Sequence, residues 1–167
     1  MNVFYFYNCP VKSAKAQPDK LLVKMPLECA QMLSACHRIL DGDEYADANL
    51  LYKKTHANHP CSIWLRQSTA NYDWLYEHFV ALAQEYTERY GREHLSFTKL
   101  RDALAEYPVN LPEGEVTPVA QAMPEEYRDE KSPTTAYRNY VRNEKHYAKW
   151  DKIPSRRPEW WVNDIKL

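Results

Sequence analysis

The segment Asp19-Lys20-Leu21-Leu22-Val23-Lys24-Met25-Pro26-Leu27-Glu28-Cys29-Ala30-Gln31-Met32-Leu33 decides how the chain is read. Apolar side chains at Leu22, Met25, Cys29, Met32, Leu33, Cys36 and Leu40 recur at helical spacing. Lys20, Lys24, Glu28 and Gln31 form a second stripe, at steps of four, four and three, so they are neighbours on one helix face. The pattern predicts a helix from about Asp19 to Leu40. Pro26 either kinks it or marks a restart, because proline removes one backbone donor. Asp41-Gly42-Asp43 ends it.

Within that helix Glu28 is the residue with chemical potential. A carboxylate one turn after a lysine can act as a general base or stabilise a cationic intermediate. The same pair can be a plain exposed Lys24–Glu28 bridge, worth about 0.3–0.5 kcal/mol. Spacing alone leaves both readings open.

The rest of the chain extends the helical reading. Pro60 opens a second helical region with apolar positions Trp64, Leu65, Ala70, Leu75, Phe79, Leu82 and Tyr86, split near Ser68-Thr69 and stopped at Gly91. Ser96 caps a shorter helix carrying Phe97, Leu100 and Leu104. A polar loop covers about 42–59. Prolines at 108, 112, 118, 124 and 133 make 108–133 a Pro-rich loop, and a stretch of that kind is often functional. Ser132-Pro133 starts the last long helix, over about 134–151. Residues 3–7 read as a short strand or an extended arm. The expected fold is all-α: a mostly helical, compact single domain over 1–167 with a short extended N-terminal segment.

Composition narrows the function. The chain has 167 residues, enough for one domain with a real core. Its 22 basic and 23 acidic residues give no global basic field, so any nucleic-acid affinity must come from local patterning. Only 3 glycines argue against a Gly-rich phosphate loop. No apolar run approaches a membrane span, so no membrane partner is expected. The first residues lack the basic and small-residue features of a signal peptide. Cys9, Cys29, Cys36 and Cys61 include no Cys-x-x-Cys pair, and a reduced cytoplasmic protein without disulfides is expected.

Two further constellations could bind a ligand. Arg138, Arg142, Lys145 and Lys149 step by four, three and four, and Lys152, Arg156 and Arg157 continue the basic run. A stripe of this kind can follow a phosphate backbone or be a solvated face. His56 and His59 bracket Asn58. His-x-x-His is a weak metal pattern without a third ligand, so no metal and no cofactor are expected, and contact with a base or phosphate by His56, Asn58 or His59 is favoured. Arg66, Ser68, Asn71 and Tyr72 form a polar cluster that suits either a base edge or helix capping. Trp160 and Trp161 can stack on bases or pin the C-terminal segment to the core. No nucleophile elbow, P-loop or zinc-deaminase signature is present.

Three groups of residues carry a resemblance. Pro-Asp-Lys…Val-Lys-Met-x-x-Glu-x-Ala-Gln-Met-Leu (18–33), His-x-Asn-His-Pro-Cys-x-x-Trp-x-Arg-x-Ser-x-x-Asn-Tyr (56–72) and the tail around Pro158-Glu159-Trp160 are similar to a widespread family of tailed-phage proteins. More remotely, Asp19–Met32, Asn71–Gly91 and Glu144–Trp160 resemble the pyrimidine-dimer DNA glycosylase family. That resemblance implies a compact helical domain and puts Glu28 at the place of the family's catalytic glutamate. The family also uses a free N-terminal amine, exposed by methionine removal, to attack the sugar and form an imine. Here the bulky Asn2 follows Met1, so the methionine is expected to stay and no free amine on residue 2 is expected. Leu27 and Gln31 stand where the family carries arginines.

The resemblance implies a DNA-base-acting enzyme of phage type, working in the cytoplasm of a bacterial host on a base flipped beside Glu28. Glu28 would be base or electrostatic partner, Lys24 would set its ionisation and Gln31 would orient base or water. Arg66, Asn71, Arg138, Arg142, Lys145, Lys149, Arg156 and Arg157 would hold the DNA, with His56, Asn58, His59 and Trp160 on a base or phosphate. Base excision and pyrimidine modification, the latter with an amino-acid co-substrate, are both open. A non-catalytic module binding DNA or a host factor is the alternative.

Overall fold

The computed structural model describes residues 1–161, and among them it contains helices and no β-strand. The order is α1 (Pro10–Lys15), α2 (Asp19–Asp41), α3 (Glu44–Ala48), α4 (Pro60–Leu65), α5 (Thr69–Tyr90), α6 (Leu95–Leu104) and α7 (Pro133–Glu144). Single 3-10 turns lie at Glu125–Tyr127 and Pro154–Arg156. None of the helices is long and apolar enough to cross a membrane, among the described residues.

The two long helices, α2 and α5, pack on each other and form the centre of the fold. Leu22, Met25, Cys29, Met32, Leu33 and Cys36 all point into the core as their spacing predicts, and they meet Tyr72, Leu75, Phe79 and Leu82 of α5 in one apolar cluster. Each large apolar side chain buried in this interface contributes about 1.5–3 kcal/mol. With that face committed to α5, the stripe carrying Lys20, Lys24 and Glu28 is left at the surface side of α2. The helix runs through Pro26 without a restart. Met25 and Cys29 on either side are fully buried, and their packing holds the turn against the lost amide bond.

The extended N-terminal segment is an arm, not a strand. Val3 and Phe6 are fully buried. With no neighbouring strand to satisfy it, the arm's backbone is met by side chains, as buried polar groups require. Ser13 Oγ accepts from the Phe6 amide at 2.9 Å and donates to the Phe4 carbonyl at 3.0 Å. Asn2 Oδ1 accepts from the Val3 amide at 2.7 Å, and its Nδ2 donates to the Ala122 carbonyl at 2.9 Å. Arg138 donates twice to the Phe6 carbonyl. These bonds fix where Met1 emerges.

The Pro-rich segment is a strap clamped across the start of α5. The Thr69 amide donates to the Pro112 carbonyl at 2.9 Å, and Ser68 Oγ donates to the Glu115 carbonyl at 2.8 Å. Asn71 is fully buried, receives the Thr117 amide at 3.0 Å and donates to the Trp64 carbonyl at 2.8 Å. The strap passes close to α5 at Gly114, where a Cβ would stand 3.3 Å from the Cβ of Ser68, a tight contact.

Four local expectations change. The 42–59 loop contains α3, held by Arg38, whose guanidinium bonds Asp43, Asp47 and the Leu51 and Tyr52 carbonyls. Helix α1 was not signalled by spacing. His94, not Ser96, caps α6, its Nδ1 accepting the Ser96 amide at 3.2 Å. The last helix stops at Glu144 instead of about 151. Beyond it the chain turns to cap α2: the Asp19 amide donates to the Lys149 carbonyl at 2.8 Å, and Trp150 Nε1 donates to the Ala16 carbonyl at 3.0 Å. The basic run of residues 138–149 is therefore divided between α7 and this returning segment.

Candidate active site

The α-amine of Met1 lies 3.3 Å from Glu28 Oε1, and the Glu28 side chain is 16% exposed. Two elements set this pairing. The buried apolar face of α2 leaves Glu28 on its outer side, and the pinned arm delivers Met1 to it. The carboxylate is partly shielded yet reachable, the condition under which a charge is both strengthened and useful.

His59 completes the cluster. It caps α4, with Nδ1 accepting the Cys61 amide at 3.1 Å. Its ring faces the Met1 backbone and amine and senses Glu28. Burial lowers the His59 pKa, with the positive amine and His56 acting in the same direction, while Glu28 and the Met1 carbonyl oppose. With Nδ1 already an acceptor, the neutral ring carries its proton on Nε2. His56 packs edge-on at 6.5 Å between ring centroids, with Nδ1 on Thr55 Oγ1 at 2.8 Å and φ of 51°. Arg66 supports this loop by donating to the Ala57 carbonyl at 2.8 Å. Asn58 is exposed on it.

On the other side, Tyr147 stands close enough to feel the charge of Glu28; burial chiefly raises its pKa. The Lys20 ammonium sits 5.1 Å from the Tyr147 ring centre. Lys24 is exposed and Gln31 half-buried, both on the Glu28 face of α2. Cys29 and Cys61 lie beneath, and burial pushes both thiols up, Cys61 to about 12, so neither is a thiolate nucleophile at neutral pH.

Glu28 and His59 thus meet around Met1, with Lys24 and Gln31 on the same face of α2 and His56 beside His59. Other expected residues are committed within the fold. Arg138 bonds the arm and lies over the rings of Tyr7 (4.7 Å) and Trp160 (5.6 Å). Arg142 donates to the Trp160 carbonyl and to Asn139. Arg156 grips Glu85 and Glu88. Trp160 packs on Phe6 with centroids 4.9 Å apart. Lys145 lies over Tyr140, while Lys149 and Arg157 are exposed. Among the described residues, no group of three or more His, Cys, Asp and Glu is placed to hold a metal.

The residue that sequence reasoning missed is Met1. Asn2 argues against a free amine on residue 2, but the amine of residue 1 occupies the place beside the glutamate. The signal was the apolar pattern Val3-Phe4-Tyr5-Phe6, whose burial anchors the arm just behind Met1.

No curated protein and no solved structure matches the chain. The family model described as pyrimidine dimer DNA glycosylase matches residues 1–98, more than half of the chain, and so spans the arm, α2 with Glu28 and the 56–61 loop. On that match the chain belongs to the pyrimidine dimer DNA glycosylase family.

Proposed function

We propose that the protein excises a base from DNA, with the Met1 α-amine as nucleophile and Glu28 as its partner. The observation that carries this reading is the 3.3 Å amine–carboxylate approach in a chain of this family. Of the amines in a protein, α-amines have the largest neutral fraction near neutral pH, which suits nucleophilic attack.

The target nucleotide leaves the stack at a cost of a few kcal/mol and enters beside Glu28. The amine nitrogen bonds C1′ of the sugar as the C1′–base bond breaks, and the base departs with that electron pair and takes up a proton. The bound nitrogen then loses its protons, one by way of Glu28, and the ring oxygen is protonated as the sugar opens to an imine. Glu28 also balances positive charge developing on the sugar. Lys24 and Gln31 flank the carboxylate, Gln31 suited to orient base or water. His59 holds the Met1 backbone. His56, Asn58 and the exposed cations Lys149 and Arg157 face DNA, while Arg66, Arg138, Arg142 and Arg156 support the surfaces that do so.

Nucleoside mass spectrometry tests the reading. Ultraviolet-irradiated duplex, plain duplex and hydroxymethyluracil-containing duplex are incubated with the protein and with Glu28→Gln. Cleavage of glycosidic bonds at irradiated pyrimidine steps by the unmodified protein alone is expected. Unchanged base content in every duplex, or a mass gain on the modified pyrimidine without base loss, overturns excision.

A further inference from the structure

The segment that replaces the end of the expected last helix forms one wall of an open groove of about 860 Å³. The other wall is the first turn of α2. Lys20, Lys149 and Lys152 line it, with Tyr90, Tyr147 and His146. Lys20 stacks over Tyr147 at 5.1 Å, and Lys152 over Tyr90 at 5.1 Å. Among the described residues, none of the three ammonium groups has a carboxylate partner.

Two acids also lie in the groove. Asp19 is occupied: Oδ1 takes Arg89 at 3.1 Å and Oδ2 takes the Lys152 amide at 3.1 Å. Asp151 is exposed. Cations therefore exceed uncommitted acids by three to one, His146 left aside. The groove adjoins the active site through Tyr147, which feels the charge of Glu28.

We propose that this groove carries the phosphodiester backbone of the DNA strand next to the reacting nucleotide, with Lys20, Lys149 and Lys152 on successive phosphates. The proposal rests on the excision reading for its choice of DNA. The chemistry of the walls favours a strand over a free nucleotide. A terminal polyphosphate is normally cradled by open backbone amides. Here two amides of the α2 start are taken, Asp19 by the Lys149 carbonyl and Leu21 by the Pro18 carbonyl. What remains are point charges on flexible stems and two aromatic faces, which suit diester phosphates and stacked sugars or bases. The groove also accounts for Leu27 and Gln31 in place of arginines. Lys20, two to three turns nearer the start of α2, and cations beyond the matched residues 1–98 take over the grip.

The test is fluorescence anisotropy of the full chain on a labelled duplex carrying one tetrahydrofuran abasic site, over a range of salt. The variants are Lys20→Gln/Lys149→Gln/Lys152→Gln, the matching triple arginine variant, and Lys53→Gln/Lys54→Gln/Lys99→Gln on a separate basic surface. Circular dichroism and thermal melting check folding. The glutamine triple is expected to bind about tenfold or more weaker near 0.1 M salt, with the slope of log Kd against log salt reduced by about 2–3, since each phosphate contact contributes about 0.9. The arginine triple should keep the slope, and the Lys53/Lys54/Lys99 variant should too. A folded glutamine triple with an unchanged slope overturns the groove. If that occurs while the unmodified protein still excises base, only the groove fails. If the slope shifts but no excision is seen, the groove stands and the chemistry fails. No salt-dependent binding by the unmodified protein overturns both.

Discussion

Met1 and Glu28 are the first residue of the chain and the tenth of α2, and they meet at 3.3 Å. Neither the arm nor the helix makes the pair alone. The arm is held at Asn2, Phe4 and Phe6 by bonds to residues from α1, α7 and the strap. Any change that loosens the arm moves the amine, so activity and arm anchoring should rise and fall together.

Glu28→Gln removes the charge and keeps the shape. Base excision is expected to fall about 100-fold or more, the usual range for a displaced acid–base partner. DNA affinity should hold or tighten, because a negative charge leaves a phosphate-facing surface. Stability should change by about 1 kcal/mol or less, since the carboxylate is partly solvated. Single-turnover excision and anisotropy separate the two effects.

His59 has two separable tasks. Asn at this position can still cap α4 but is too short to reach Met1; Gln reaches about as far as Nε2 but caps poorly. His59→Asn should therefore melt like the unmodified protein and excise about tenfold or more slowly, as misplaced reacting groups do. His59→Gln should lose about 1 kcal/mol of stability and keep most of its rate. The reverse pattern would make His59 a cap and nothing else.

Acid should destabilise the fold through His78. This ring is fully buried with Nδ1 on the Pro10 carbonyl at 3.0 Å, and burial lowers its pKa to about 4. An unfolded histidine titrates near 6.5. Between these values the unfolded chain binds the proton and the folded chain does not. The contribution, roughly 3 kcal/mol, is complete above about pH 6.5, falls as pH drops through the window and is gone below about 4. Burial lowers His37 and His59 as well, so they act in the same sense. Urea denaturation at pH 7 and 5 should show the loss, and His78→Gln, less stable throughout, should show a flatter pH dependence.

Arg89 ties the helical centre to the groove. Its side chain is fully buried and bonds the Gln17 and Lys15 carbonyls and Asp19 at 2.6, 2.8 and 3.1 Å. Arg89→Ala takes the cation from Asp19 and leaves the Gln17 and Lys15 carbonyls without their donor, while Glu85 keeps Arg156, and it should cost about 3–5 kcal/mol in denaturant melts. Arg156→Ala should cost less, because that side chain is 27% exposed and Glu85 keeps Arg89 at 3.6 Å.

The helical core was legible because Leu22 to Cys36 and Tyr72 to Tyr86 repeat over many turns, where periodicity is strongest. The short helices α1 and α3 were not, since six and five residues give too little period to read. The early end of α7 was hidden because its cause is tertiary: Trp150 and the Lys149 carbonyl are drawn to the start of α2. Glu28 was visible from spacing and resemblance together. The amine beside it was not, because nothing in the identity of Met1 marks it; only the buried arm behind it does.

The most direct measurement is borohydride trapping of the protein on a duplex carrying an abasic site, followed by peptide mapping. A reduced covalent adduct on the α-amine of Met1 is expected, strongly diminished in Glu28→Gln. An adduct mapped to a lysine, or none at all under conditions where the duplex is bound, would contradict it.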